Sequence, residues 1–294
     1  MSLEKAFLSL QGLSLGDAFG EQFFSQPVSM ALRKELPPGP WRWTDDTHMA
    51  LSIVETLQFY SHIDQGALAQ SFARRYAGEP WRGYAGGAQR LLRQIGQGIS
   101  WRQAAYALFN GGSYGNGGAM RAAPIGGFYA GNPERAATEA DLSAEVTHAH
   151  LEGRAGAIAV AVAASLAAMD QHPTGAEFIQ ATLRYVPKSQ VRQGLEMASH
   201  IPFDDFWQAV KELGTGQQVT AQDTVPFSVW CAASNLDDFE VALWQTVAAP
   251  GDVDTTCAMV GGIVALSTGV VPDHWLQCRE PLPQGFTASD VHRV

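Results

Sequence analysis

Residues 155 to 169 read AGAIAVAVAASLAAM, a stretch without a single charge and mostly alanine. A helix that is apolar all round has to be covered on every side. The stretch is too short to span a bilayer comfortably, which takes about 20 apolar residues. It predicts a helix at the centre of a packed protein, and the rest of the chain must supply its cover. Gly117, Gly118, Gly156, Gly261 and Gly262 fall on expected helix positions and would let neighbouring backbones approach it closely.

The cover reads as more helix. Leu3, Phe7, Leu10 and Leu13 recur near the helical period, and Met49, Ile53, Val54 and Leu57 form one stripe. The pattern continues over 65–76, 86–95, 132–148, 174–186, 191–201, 204–213, 239–249 and 254–268, with Asn132 as an N-cap and Pro133 at a first helical position. No run of useful length alternates apolar and polar residues, so no strand is predicted. The breaks at 35–40, 110–118 and near 171 are short, and no repeat is found. The expectation is an all-α fold, a compact orthogonal multi-helix bundle forming one domain over 1–294. With 46% hydrophobic residues the chain can fill its core.

Charge and cysteine content narrow the partners. The formal net charge is -10 and no Lys/Arg run occurs, which argues against nucleic acid. Cys231, Cys257 and Cys278 make neither a metal-binding spacing nor a disulfide framework, as expected in a reducing compartment. The first twenty residues lack the basic start and clean apolar run of a signal peptide. A cytoplasmic location and no membrane partner follow as expectations.

The chemistry collects at two helix starts. WRWTDDTHMAL places Thr44, Asp45 and Asp46 side by side ahead of an apolar stripe. Helix capping explains one such group, since a carboxylate near a helix N-terminus gains roughly 0.3–1 kcal/mol. PGDVDTTCAMVGG repeats the theme, with Asp252, Asp254 and Thr255 ahead of another apolar helix. If the two groups meet, four carboxylates and two hydroxyls converge, and that charge needs cations. Hard divalent cations take such oxygen ligands, and two of them about 3.5–4 Å apart would suit the set.

Two further segments bear on a ligand. GGSYGNGGAMRAAPIGG (111–127) is rich in glycine, which suits either close approach to a phosphate or a tight packed loop. THAHLEGRAGA (147–157) carries His148 and His150, of which one could face a site or both could be structural. Asp252-x-Asp254-x-Thr256 also fits the Asp-x-Asp-x-Thr of haloacid-dehalogenase-type phosphatases. That fold needs the motif directly after a strand, and here an Ala/Pro turn precedes it.

Taken in order, GLSLGDAFG (12–20), WTDDTHMAL (43–51), RGYAGGAQRLL (82–92), GSYGNGGAMRAAP (112–124), THAHLEGRAGA and GDVDTTCAMVGG (251–262) resemble the motifs of the ADP-ribosylglycohydrolase family, of the dinitrogenase-reductase-activating glycohydrolase type. The central loop is most similar to the serine-directed branch. The resemblance implies an all-α fold and a binuclear Mg²⁺ or Mn²⁺ centre held by Thr44, Asp45, Asp46, Asp252, Asp254 and Thr255. It implies that Ser113, Tyr114, Gly115, Asn116, Gly117 and Gly118 hold the diphosphate and ribose of ADP-ribose, with His148 beside the substrate. The implied reaction is hydrolysis of the glycosidic bond between ADP-ribose and a modified protein side chain or small-molecule ester, with Asp45, Asp46 and Asp254 steering the water's proton.

One position departs from the family. Where members often carry a glutamate, four residues after the second glycine of the N-terminal signature, this chain has Phe24. Glu21, about one helical turn earlier, is the candidate replacement, and Glu35 is a weaker one. The departure keeps open a non-catalytic ADP-ribose binder or a crystallin-like relative as the alternative. Trp41 and Trp43 are candidates either to stack on adenine or to pack.

Overall fold

A computed structural model describes residues 1–26 and 28–286. It contains sixteen α-helices and, among the described residues, no sheet. The Leu151–Ala167 helix takes the central place its composition demands, with every residue from Ala155 to Ala167 buried. The Pro133–Glu145, Ala123–Phe128 and Ala221–Ser234 helices cover it. Asn132 caps the first of these, accepting from the Arg135 N–H at 3.1 Å. The apolar core runs as one cluster from Ala6 to Phe286. No helix among the described residues is long and apolar enough to cross a membrane.

The closest helix pair lies elsewhere, between the Leu3–Glu21 and Val253–Thr268 helices. Gly12, Gly16 and Gly20 repeat every four residues and so share one face. A Cβ on Gly16 would lie 2.0 Å from the Cys257 carbonyl oxygen, and one on Gly12 would lie 2.3 Å from that of Gly261. At Gly20 it would meet the Val253 carbonyl oxygen at 2.4 Å and the Asp254 Cα at 2.7 Å. Only hydrogen fits at this crossing, and its lower end sets the first helix directly on the Asp254 backbone. Around that end Phe19 stacks on Trp275 at 4.6 Å and meets Trp244 edge-on at 5.0 Å.

Some elements depart from the sequence expectation. Gly117 and Gly118 lie in a single 3₁₀ turn, Asn116–Gly118, rather than in an α-helix. The Ala221–Ser234 helix was not anticipated, because Pro226 inside it removes a backbone donor and argues against helix. The short Val28–Leu32, Trp101–Ala107, Ala123–Phe128 and Asp273–Leu276 helices also escaped, having too few turns to show a period. Trp41 and Trp43 pack. Trp41 is fully buried between Phe19 and Trp275, and Trp43 carries the Arg82 guanidinium on its face at 3.4 Å.

Candidate active site

The starts of the Asp45–Tyr60 and Val253–Thr268 helices meet at the floor of a cavity of about 380 Å³. Asp45, Asp46, Asp252, Asp254 and Thr255 all line it. Carboxylate oxygens of Asp17, Asp46 and Asp254 lie within 4.8 Å of one another. Capping does not account for these acids. The cap of the Asp45–Tyr60 helix is the Thr44 hydroxyl, which accepts from the Asp46 N–H at 3.3 Å. Asp252 occupies the N-cap position of the second helix without a side-chain capping bond. Its Oδ2 instead accepts from the Asn116 amide at 2.7 Å. No strand precedes the Asp-x-Asp-x-Thr segment, which removes the phosphatase reading.

Asp17 was missing from the sequence-derived site. It lies fully buried on the first helix and accepts from the backbone N–H and hydroxyl of both Thr44 and Thr47. Those four donors fill its lone pairs. Asp17 Oδ1 takes the Thr44 hydroxyl hydrogen, which leaves the Thr44 oxygen with lone pairs only. Asp46 Oδ2, by contrast, is buried with no hydrogen-bond partner among the described residues. A hard cation is the partner such an oxygen needs, and the donor set of carboxylates and hydroxyls fits one.

The electrostatics agree. Burial pushes Asp46 well above the usual carboxylate range, and the Asp254 and Asp17 charges push it further. Asp254 is raised in the same way, by burial and then by Asp252 and Asp17. Asp45 rises to about 8, through burial and the Asp17 charge. Asp17 reaches only about 6, because the bonds from Thr47 and Thr44 oppose its burial. Asp252 is raised by burial, opposed by the Asn116 bond. Glu21, at the end of the Leu3–Glu21 helix, is not among the cavity-lining residues, and its carboxyl is raised by burial and then by the Asp17 and Asp252 charges. Phe24 is 54% exposed and does not line the cavity.

The wall is the glycine-rich loop. Ser113, Tyr114, Gly115, Asn116, Gly117 and His148 line the cavity. Gly118 packs behind it, against Gly153, Ala144 and His148. The Asn116 amide nitrogen donates to Thr224 Oγ1 at 3.1 Å as well as to Asp252, so this side chain ties the loop to the second acidic group. A segment overlooked in the sequence, 214–220, clamps the loop from outside. The Ala221 N–H donates to the Tyr114 carbonyl at 2.9 Å, and the Asn116 N–H donates to that of Val219 at 3.3 Å. Val219, a β-branched residue at φ 55°, lines the cavity with Gln218 and Thr220. Tyr114 and Phe109 also line it, 45% and 62% exposed. The apolar part of the lining comes from Ala88, Leu91, Leu92, Leu108 and Met120.

Arg121, fully buried beneath the loop, was likewise overlooked. The signal was present: it is the only charged residue between Arg102 and Glu134. Of the two histidines, His148 faces the cavity, while His150 caps the Leu151–Ala167 helix, its Nδ1 accepting from the Glu152 N–H at 3.2 Å.

Comparison with known proteins gives a consistent picture. The family model described as ADP-ribosylglycohydrolase matches residues 2–292. The ADP-ribosylhydrolase ARH3 of Bos taurus is 29% identical, with 97% of this chain and 91% of the relative covered. The ADP-ribosyl-dinitrogen-reductase glycohydrolase of Rhodospirillum rubrum is 24% identical over 93% of this chain and 89% of its own. A solved structure titled ADP-ribosylglycohydrolase-related protein complex superposes with a TM-score of 0.66 at 24% identity, covering 95% of this chain and 93% of the other, and so shares the fold.

Proposed function

The chain belongs to the ADP-ribosylglycohydrolase family, and from that premise we propose a metal-dependent hydrolase, comprising 1–294 as one domain, that releases ADP-ribose from a modified side chain or ester. The observation that carries this reading is the convergence of both carboxylate groups on one cavity floor, with Asp46 Oδ2 lacking a donor among the described residues. Thr44, Asp45, Asp46, Asp252, Asp254 and Thr255 would hold two divalent cations, Mg²⁺ or Mn²⁺. When bound, such ions supply Lewis-acid polarisation of ribose hydroxyls and neutralise the crowded acids.

The chain's own groups do the rest. Asp17 is assigned to support rather than to ligation, because its oxygens are already filled by Thr44 and Thr47. The glycine-rich loop lets backbone come close to a diphosphate, and the exposed rings of Tyr114 and Phe109 offer faces on which a base can stack. A carboxylate among Asp45, Asp46 and Asp254 takes a proton from the attacking water. The water oxygen bonds to C1″ as the bond to the acceptor breaks, and the acceptor leaves with the proton that the carboxylate took from water. Positive charge developing at C1″ is stabilised by the same acids. Glu21 completes the set in place of the family's glutamate at Phe24.

The test is ADP-ribose release from matched serine- and arginine-ADP-ribosylated peptides, with Mg²⁺, with Mn²⁺ and with chelator. Metal-dependent release from either peptide supports the hydrolase and names its linkage. The Phe24 position favours a second reading, a binder without turnover. Measurable ADP-ribose affinity without release from any linkage would establish it.

A further inference from the structure

Arg121 is a buried cation that the proposed reaction does not use. Its guanidinium donates to the Gly117 carbonyl at 2.9 Å, the Ser143 carbonyl at 3.1 Å and the Thr147 hydroxyl at 2.8 Å, with a long contact to Met49 Sδ at 3.7 Å. None of these partners is a carboxylate. The Phe72 ring lies 4.5 Å beneath it. Its bonded partners are all neutral, and the Asp45 carboxylate acts on it only through space, so burial of this charge is costly and is only partly offset. Here its fork spans the ligand loop, through Gly117, and the segment that carries His148, through Ser143 and Thr147.

The direction of these bonds reaches the cavity. A guanidinium can only donate, so the Thr147 oxygen is an acceptor towards Arg121. Its one hydrogen is then free for His148 Nδ1, which lies 2.7 Å away and is the only other partner of that hydroxyl among the described residues. With Nδ1 accepting, a neutral imidazole carries its proton on Nε2. Nε2 has no hydrogen-bond partner among the described residues and borders the loop. A Cβ on Gly117 would lie 3.0 Å from it, and one on Gly115 would lie 3.4 Å away.

We propose that Arg121 is a positioning residue which, through the Thr147 hydroxyl, fixes His148 as the Nε2–H tautomer, so that the imidazole donates a hydrogen bond to an oxygen acceptor of the bound ligand beside Gly115 and Gly117. The ligand end of this inference rests on the ADP-ribose reading, and the oxygen class is a phosphate or a ribose oxygen. Burial, and then the Arg121 charge, also push His148 down to about 3, so it is a neutral donor at physiological pH and not an acid that protonates the leaving group.

The experiment reads the tautomer directly. In protein labelled with [¹⁵N]histidine, long-range ¹H–¹⁵N spectra show which His148 nitrogen bears the proton, the signal being assigned by its absence in His148→Gln. The expected wild-type state is Nε2–H. Thr147→Val removes the relay hydroxyl but not the cation. It is expected to abolish the single tautomer and weaken ADP-ribose binding about tenfold, as for one lost polar bond. Thr147→Ser should restore both. Arg121→Lys keeps the charge and loses the fork, and should resemble Thr147→Val; if it does not fold, the Thr147 pair still decides. An Nδ1–H signal in the wild type, or an unchanged tautomer or affinity in Thr147→Val, would overturn the proposal. Failure of the wild type to bind ADP-ribose would count against the functional reading and its ligand, while the tautomer spectrum tests the relay independently.

Discussion

Asp17 and Thr44 are joined twice over. The Thr44 N–H donates to both carboxylate oxygens, at 3.1 and 2.9 Å, and the Thr44 hydroxyl donates to Oδ1 at 2.9 Å. With Thr47 adding its own N–H at 3.0 Å, one acid on the first helix fixes where the Asp45–Tyr60 helix begins. Asn in place of Asp17 would turn amide hydrogens towards these donors. Asp17→Asn is expected to lower stability at pH 8 by roughly 1–3 kcal/mol in urea melts and to reduce metal-dependent turnover, because Thr44–Asp46 loses its anchor. Unchanged stability would show that the anchor is dispensable.

The metal-free protein should become less stable as pH rises. Asp17 and Asp45 bind their protons more tightly in the folded state, at about 6 and about 8, than in the unfolded chain. Their contribution to stability is full below about pH 4, the unfolded carboxylate value, and fades as pH climbs through those folded values. Chelator-treated protein should therefore melt lower at pH 8 than at pH 5 relative to metal-loaded protein. Equal melting points with and without metal at pH 8 would contradict the crowded-acid account.

Asp254→Asn separates function from stability. It removes one acid from the crowded floor, so chelated protein should melt no lower than the wild type at pH 8 while metal-dependent ADP-ribose release is abolished. The far-UV spectrum should stay helical. A fully active Asp254→Asn enzyme would remove this residue from the mechanism.

The Phe24 departure is testable by a pair of substitutions. Glu21 feels the Asp17 and Asp252 charges, whereas Phe24 is 54% exposed. Glu21→Gln is expected to cut turnover by about a hundredfold or more, the range of one acid–base group, and Phe24→Ala to leave it within about twofold, a few tenths of a kcal/mol. The reverse ranking would assign the role to the 24 position.

Gly117 admits no side chain without moving the imidazole. An added Cβ would sit 2.8 Å from His148 Cε1. Gly117→Ala is expected to weaken ADP-ribose binding several-fold with little change in melting temperature, read by titration calorimetry and thermal melts together.

Much of this was open to reading because the helices carry their period. The Thr44–Asp46 and Asp252–Thr255 groups stood out as paired acids at the starts of two largely apolar helices. Asp17 did not, since its partners Thr44 and Thr47 lie 27 and 30 residues away and nothing local marks them. Arg121 was visible as an isolated charge but was absorbed into a glycine motif. The clamp from 214–220 depends on positive φ at Gly214, Gly216 and Val219, and for Val219 no residue preference announces it. Pro226 hid a whole helix because its effect depends on how the neighbours pack. It sits against Gly194, where a Cβ would lie 2.5 Å from its Cγ.

The glycine crossing at Gly12, Gly16 and Gly20 also bears on the order of events during synthesis. It joins the first helix to one that begins at Val253, so the acids of the two halves cannot meet until most of the polypeptide has left the ribosome. Until then Asp17, Asp45 and Asp46 stand apart from Asp252 and Asp254, and the long-range closure that unites them is slow and entropically unfavourable. Cation uptake would then mark the last stage of folding: a nascent chain should gain tight metal binding in a single late step rather than gradually.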